Sequence, residues 1–315
     1  MNDLFQRLDH GITVVDTGFL RPKFDASFLI VHEGRAAFVD TGPNDAVPRL
    51  LAALEAHGLG RDAVDYVIPT HVHLDHAGGA GLLMQHLPRA RLVIHPRGAR
   101  HMIDPGVLME GVRAVYGAEV AARDYGELVP VPAERVVTTG DGMIIELGGR
   151  PLRFIDTPGH ARHHHCIWDE ASRGWFTGDT FGIVYPELRT PAGAYILPAT
   201  APAQFDQDAL HASVRRLLSE RPQFMYLTHY GAVTDAAALS VQFLAQVDAM
   251  ADAARALAGV RDRHDRLKHA FGDIYLGELR RCGSTLPEER LRELLANDIE
   301  LNAQGLGAWL DRLAA

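Results

Sequence analysis

The sequence predicts a mixed α/β fold with α+β character that ends in a helical extension. Three observations carry that class. Short strand-like runs alternate with helical stretches from Gly11 to Thr228. Several of the runs end directly in polar turns that place His or Asp beside Gly or Pro, and such turns are where a rigid scaffold presents functional groups. From Asp235 onward the patterning is helical alone.

The elements follow in order. Gly11 to Asp16, Phe28 to Val31 and Ala36 to Asp40 read as a strand and a hairpin whose turn is Glu33-Gly34. Behind Asp40-Thr41-Gly42-Pro43, the residues Val47, Leu50, Leu51 and Leu54 recur at helical spacing, and Gly58 supplies the stop. Val64 to Pro69 is a buried strand running into the polar stretch Thr70 to Gly79, with helical Leu82 to Leu87 after it. Leu92 to His95 is strand-like, and residues 97–128 carry mixed helical patterning, as an insertion over a core would. Residues 143–157 alternate about Gly148-Gly149, a hairpin signal. Cys166 to Trp168 and Trp175 to Thr177 are strand-like, Leu210 to Leu218 is helical, and Phe224 to Thr228 is the last strand. Between them, Phe181 to Pro202 is a long aromatic loop without a period, and loops of that length in compact domains usually carry function. In the tail, Phe243, Val247, Met250, Ala254 and Leu257 make an amphipathic stripe. Thr285 and Glu288 read as a capping box opening a further helix through Leu291, Leu294 and Leu295.

Composition excludes whole classes of function. Hydrophobic residues at 47% and charged residues at 23% are those of a globular chain, so a disordered tail, a collagen or a fibrous repeat is excluded. A net charge of −9 lacks the basic footprint of a nucleic-acid binder. Lys23 and Lys268 are the only lysines, which leaves Schiff-base catalysis almost nowhere to sit. Two cysteines, Cys166 and Cys282, make no disulfide framework. The first sixteen residues lack the apolar core of a signal peptide, and no stretch is long and apolar enough for a membrane helix. A cytoplasmic protein with no membrane or nucleic-acid partner is expected. Its 17 histidines stand out, histidine being the commonest metal ligand.

His71-x-His73-x-Asp75-His76 packs three imidazoles and a carboxylate into six residues. In an extended loop His71, His73 and Asp75 share one face, and a bend swings His76 round to join them. Three more signals each follow a strand-like run: Thr157-Pro158-Gly159-His160, Thr177-Gly178-Asp179-Thr180 and Thr228-His229-Tyr230. Nitrogen and oxygen donors of this kind suit Zn²⁺, and also iron or manganese, and exclude a thiolate-rich structural site.

In this order, over residues 10–234, the motifs resemble the metallo-β-lactamase-fold hydrolase superfamily. Thr177-Gly178-Asp179-Thr180 is similar to glyoxalase II, and the histidine cluster with its aromatic loop is similar to the acyl-homoserine lactonases. The resemblance implies a four-layer αββα sandwich with the metals at one edge between the sheets. It implies a catalytic domain over 1–234 and a helical extension over 235–315 that packs on it, capping the site or building a homodimer. By resemblance, His71, His73 and His160 hold one metal, Asp75, His76 and His229 hold the other, Asp179 bridges the two, and Asp40 supports the metal loop from behind. Two Zn²⁺ ions would then share a bridging hydroxide that cleaves a small-molecule thioester, lactone or ester. Asp75 would orient that hydroxide, and Tyr185, Tyr195 and Tyr230 are the candidates for donating to an oxyanion. His163, His164 and His165 imitate a metal tract, but the family pattern takes the histidine after Pro-Gly, leaving the later ones a supporting role at most. Two other readings stand beside this one. A single iron at His71, His160 and Asp179 would resemble a persulfide dioxygenase, and an idle site would make a metal-stabilised binding or regulatory protein.

Overall fold

A computed structural model describes residues 4–200 and 204–314. Residues 1–3 and 201–203 of the expected 1–234 domain, the last two of the expected loop among them, and residue 315 of the expected extension lie outside them. The chain divides into two compact units. One comprises Met1–Asp156, His163–Gly178 and Phe224–Ala232, and the other Thr157–Arg162, Asp179–Gln223 and Val233–Ala315.

The first unit is built on two sheets. One has seven strands in sequence order: β1 (Phe5–Arg7), β2 (Ile12–Asp16), β3 (Ala26–His32), β4 (Arg35–Val39), β5 (Val64–Ile68), β6 (Arg91–Ile94) and β7 (Val136–Thr138). Pairing is antiparallel from β1 to β4 and parallel from β4 to β7. The other sheet comprises β8 (Ile144–Leu147), β9 (Arg150–Asp156), β10 (His165–Asp169), β11 (Gly174–Phe176), β12 (Phe224–Leu227) and β13 (Gly231–Val233), adjacent in the order β13-β12-β11-β10-β9-β8.

The two-residue period of β3 and β4 explains why both read as unbroken apolar runs. Phe28, Ile30, Ala37 and Val39 point to one side, where they pack with Leu152, Phe154, Ile167 and Phe176 of the second sheet. Leu29, Ala36 and Phe38 point to the other, where they meet Val47, Leu50 and Leu54 of the helix Val47–Ala56. A strand with both faces buried has no polar face to alternate with. Arg150 and Asp169 form a buried two-pronged ion pair across the second sheet, Nε to Oδ1 at 2.7 Å and Nη2 to Oδ2 at 2.5 Å.

The second unit is helical: Gln207–Ser219, Ala236–Ala256, Arg263–Arg281 and Glu288–Ala314. Asp206 caps the first of these by accepting from the Ala209 N–H at 3.0 Å. Phe243, Val247, Met250 and Ala254 are buried as the stripe predicts, while Leu257 sits past the helix end and is half-buried. Thr285 does not cap the last helix. Its first turn opens at Glu288, the Pro287 carbonyl takes the Leu291 N–H, and Glu288 turns its carboxylate to Arg292 at 2.9 Å. The 181–200 loop is packed rather than solvated: Tyr185, Leu188, Tyr195 and Ile196 are buried, and Ile183 bridges to Leu197. Among the described residues no helix is long and apolar enough to cross a membrane.

Candidate metal centre

The histidine motif leaves β5 through Pro69 and Thr70, and the short helix Leu74–Ala77 carries Asp75 and His76. The extended reading therefore fails at Asp75. His73 accepts the His76 and Ala77 N–H groups on its carbonyl, and that turn rotates Asp75 away from the His71/His73 face. His71 Nε2 and His73 Nδ1 face each other at 2.8 Å.

Asp40 lies just past β4 and is wholly buried. Its Oδ1 accepts the Thr70 N–H at 2.6 Å, while Oδ2 accepts from the Thr70 hydroxyl at 3.0 Å, the Thr228 hydroxyl at 2.6 Å and His76 Nδ1 at 2.8 Å. One carboxylate thus ties together the chain after β4, β5 and β12. The same strand end grips His76 from the other side, since the Thr41 N–H and hydroxyl both donate to the His76 carbonyl.

Three imidazoles follow one rule. His76 Nδ1 donates to Asp40, His229 Nδ1 to the Phe24 carbonyl at 2.9 Å, and His160 Nδ1 to the Ala199 carbonyl at 2.8 Å. Each is left presenting Nε2 toward a carboxylate. His76 and His229 Nε2 lie 3.6 and 3.3 Å from Asp75 Oδ2, and His160 Nε2 lies 3.3 Å from Asp179 Oδ2. An imidazole with Nδ1–H so engaged offers an Nε2 lone pair in a fixed direction, which is how histidine is prepared for a metal.

Asp75, His76 and His229, all of the first unit, form one group whose ligand atoms lie within 4.8 Å of one another, and in the second unit His160 and Asp179 stand together. This donor set is nitrogen and carboxylate oxygen throughout and fits Zn²⁺, iron or manganese.

Two glycines explain why the motifs have their spacing. Gly159 sits at φ 136°, and a Cβ there would lie 2.4 Å from Leu210 Cα, so the helix Gln207–Ser219 can approach only bare backbone. At Gly178 a Cβ would fall 2.5 Å from both the Thr70 hydroxyl and His164 Nε2.

His164 is fully buried and stacks on His71 at 4.8 Å between ring centroids, and His163 lies 6.0 Å from His71 and edge-on to His73. His165 turns elsewhere, donating Nε2–H to the Pro69 carbonyl at 3.0 Å and accepting at Nδ1 from Thr139 at 2.9 Å. Burial pushes its pKa down to about 3, helped by His95.

Tyr185 gives its hydroxyl to Asp298 at 3.1 Å and Tyr195 to Gln246 at 2.8 Å, both on the C-terminal helices. Tyr230 is half-buried against the core between the sheets. Sequence reasoning missed an aromatic group beside Asp75 and His229. Phe24 meets His229 edge-on at 5.4 Å, Phe19 contacts Phe24 and Tyr125, and Tyr116 shares a hydrogen bond with Tyr125. Both tyrosine hydroxyls have raised pKa values, first from burial and then from the Asp75 carboxylate. Arg21 lies over the Phe24 ring at 5.3 Å. Nothing in the mixed patterning of residues 97–128 marks Tyr116 or Tyr125 in advance. Asp25, fully buried ahead of β3, has its carboxyl held well above the ordinary value by burial, with His229 and His76 pulling the other way.

A sequence model of the metallo-beta-lactamase superfamily matches residues 20–229. The chain is 28% identical over 217 residues to the metallo-beta-lactamase fold-containing protein ST1585 of Sulfurisphaera tokodaii, a match covering 68% of this chain and 75% of that one. The crystal structure of ST1585 superposes with a TM-score of 0.67 at 21% identity, over 95% of this chain and 99% of the other. That likeness shows the fold, an αββα sandwich with helices at its C-terminal end. A hydroxyacylglutathione hydrolase of Aeromonas hydrophila is 30% identical over 198 residues, 62% of this chain and 58% of the relative. The acyl-coenzyme A thioesterase MBLAC2 of Gallus gallus is 31% identical over 159 residues, 48% of each chain. The chain spans less than two thirds of the length of these last two relatives.

Proposed function

Because the chain belongs to the metallo-beta-lactamase superfamily, we propose that it is a metal-dependent hydrolase that cleaves a small-molecule thioester, lactone or ester. The observation that carries this reading is the common engagement of Nδ1–H in His76, His160 and His229, which prepares three Nε2 lone pairs at once. In the proposal His71, His73 and His160 hold one ion, Asp75, His76 and His229 hold a second, and Asp179 serves both. Such a pair would lower the pKa of a shared water toward about 7 and polarise the scissile carbonyl. The chain's own groups do the rest. Asp75 orients the attacking water, whose oxygen bonds to the acyl carbon as the carbon–sulfur or carbon–oxygen bond breaks and a proton passes to the leaving group.

Substrate class is read from the wall beside Asp75. Phe19, Phe24, Tyr116 and Tyr125 would pack an apolar or aromatic acyl group, and the activities for which the two hydrolase relatives are named favour a thioester. Tyr185 and Tyr195 must give up Asp298 and Gln246 to serve an oxyanion. Tyr230, packed against the core between the sheets, must turn from it to do so. The completeness of the Asp75/His76/His229 group favours two ions over the single iron of a dioxygenase.

The test is metal content of protein purified without added metal or chelator, followed by turnover of a thioester and lactone panel. Two equivalents of zinc with thioester turnover support the proposal. One equivalent of iron with oxygen consumption on a persulfide overturns it.

A further inference from the structure

The Ala199 carbonyl that orients His160 is itself gripped on both sides by one residue of the C-terminal helix. Asn302 Oδ1 accepts the Thr200 N–H and the Thr200 hydroxyl, each at 2.7 Å. Its Nδ2 donates to the Pro198 carbonyl at 3.0 Å and to the Tyr275 hydroxyl at 2.8 Å. Both acceptor sites and both donors of the amide are thereby used, and only one orientation of the amide satisfies all four. The Tyr275 hydroxyl passes its own proton toward Met250 Sδ at 3.3 Å, so three helices meet at this amide. Asn302 is 3% exposed, and Tyr275 is fully buried.

From this chain of contacts we infer that Asn302 is a positioning residue for the metal centre: it fixes Pro198-Ala199-Thr200 so that the Ala199 carbonyl holds His160 Nδ1–H. The inference rests on the reading of His160 as a metal ligand. Its physical content is specific. A carbonyl in a loop is soft unless its neighbours are tied down, and a soft acceptor lets the imidazole rotate or take its other tautomer. Loss of such outer partners weakens metal binding by about 10–100-fold. The helical extension thus sets the affinity of the ion that His160 holds and leaves the Asp75/His76/His229 ion alone.

The experiment is zinc titration of the full metal-stripped chain against a chromophoric chelator, for wild type, Asn302→Ala, Asn302→Asp, Thr200→Val and His160→Ala, with the melting temperature of each metal-free protein measured alongside. Asn302→Asp keeps the shape and both acceptors but loses both donors, and Thr200→Val removes one contact, so these two remain readable if Asn302→Ala fails to fold. One of the two zinc affinities should fall about 10–100-fold in the Asn302 variants, with a smaller fall in Thr200→Val and the other affinity unchanged. A general packing defect would instead lower the metal-free melting temperature and move both affinities together. If His160→Ala binds zinc as wild type does, the ligand assignment itself fails. If His160→Ala loses one ion while folded Asn302 variants keep both at wild-type affinity, the positioning role alone is overturned.

Discussion

Asp40 Oδ2 accepts the His76 Nδ1–H at 2.8 Å, with neither side chain exposed to solvent. The same carboxylate receives Thr70 and Thr228, so it orients an imidazole and locks three strand ends in one place. Asp40→Ala should lower metal affinity at the Asp75/His76/His229 group by about 10–100-fold and reduce turnover with it. Elemental analysis after dialysis against a weak chelator reads this directly. Full retention of both ions would show that His76 does not depend on the carboxylate.

The position of the Pro-Gly pair separates His160 from the histidines behind it. His160→Ala should cost one ion per chain and abolish turnover, whereas His163→Ala should leave both nearly intact. His163 stacks near His71 at 6.0 Å but belongs to neither candidate group. Loss of metal in His163→Ala would mean the ligand register is shifted by three residues.

How much of this could be read from the sequence depended on whether a signal was local. The β3–β4 hairpin and the helix Val47–Ala56 follow from short-range period and turn chemistry, and the structure has both. Strands β1, β7 and β13 are three residues long and cannot display a two-residue period. Thr285 failed as a cap because the proline two residues later set the helix start. The histidine motifs were visible as motifs, yet Asp75 left the face that alternation assigned to it once a helical turn began at Leu74. Tyr116 and Tyr125 reach the neighbourhood of Asp75 through tertiary packing alone, and no spacing announces them.

Those two tyrosines give a specificity prediction. Tyr125→Ala should remove the partner of both Phe19 and Tyr116 and leave the ions untouched. KM for substrates with an aromatic or long acyl group should rise about tenfold, and KM for acetyl analogues should change little. Steady-state kinetics on an acyl-length series checks this, and a uniform fall in kcat across the series would count against an acyl wall.

The Arg150–Asp169 pair offers a stability test away from the metals. Both side chains are buried, and Ser172 donates its hydroxyl to the same carboxylate at 2.5 Å. Arg150→Met leaves the Asp169 charge buried without its partner, which typically costs about 3–5 kcal/mol. Adding Asp169→Leu to the same chain should recover much of the loss, because the uncompensated charge disappears. Urea unfolding of the two variants distinguishes this from a pair that contributes nothing.

His165 predicts a direction for acid unfolding. Burial holds its folded pKa down at about 3, against about 6.5 for an unperturbed histidine. Between those values the unfolded chain binds a proton that the folded chain refuses, so stability rises with pH across that window. The contribution is complete above about pH 6.5 and is lost progressively as pH falls toward about 3, at no more than about 1.4 kcal/mol per pH unit for one group. His165→Gln, which cannot take up that proton, should therefore show a shallower loss of stability than wild type from pH 6.5 downward. Unfolding curves of metal-stripped protein at a series of pH values make the comparison, because stripping removes metal release from both sides. Parallel curves for the two proteins would mean that His165 is protonated in the folded state, against the Nε2–H bond to Pro69 and the Nδ1 acceptor bond from Thr139 that hold it neutral.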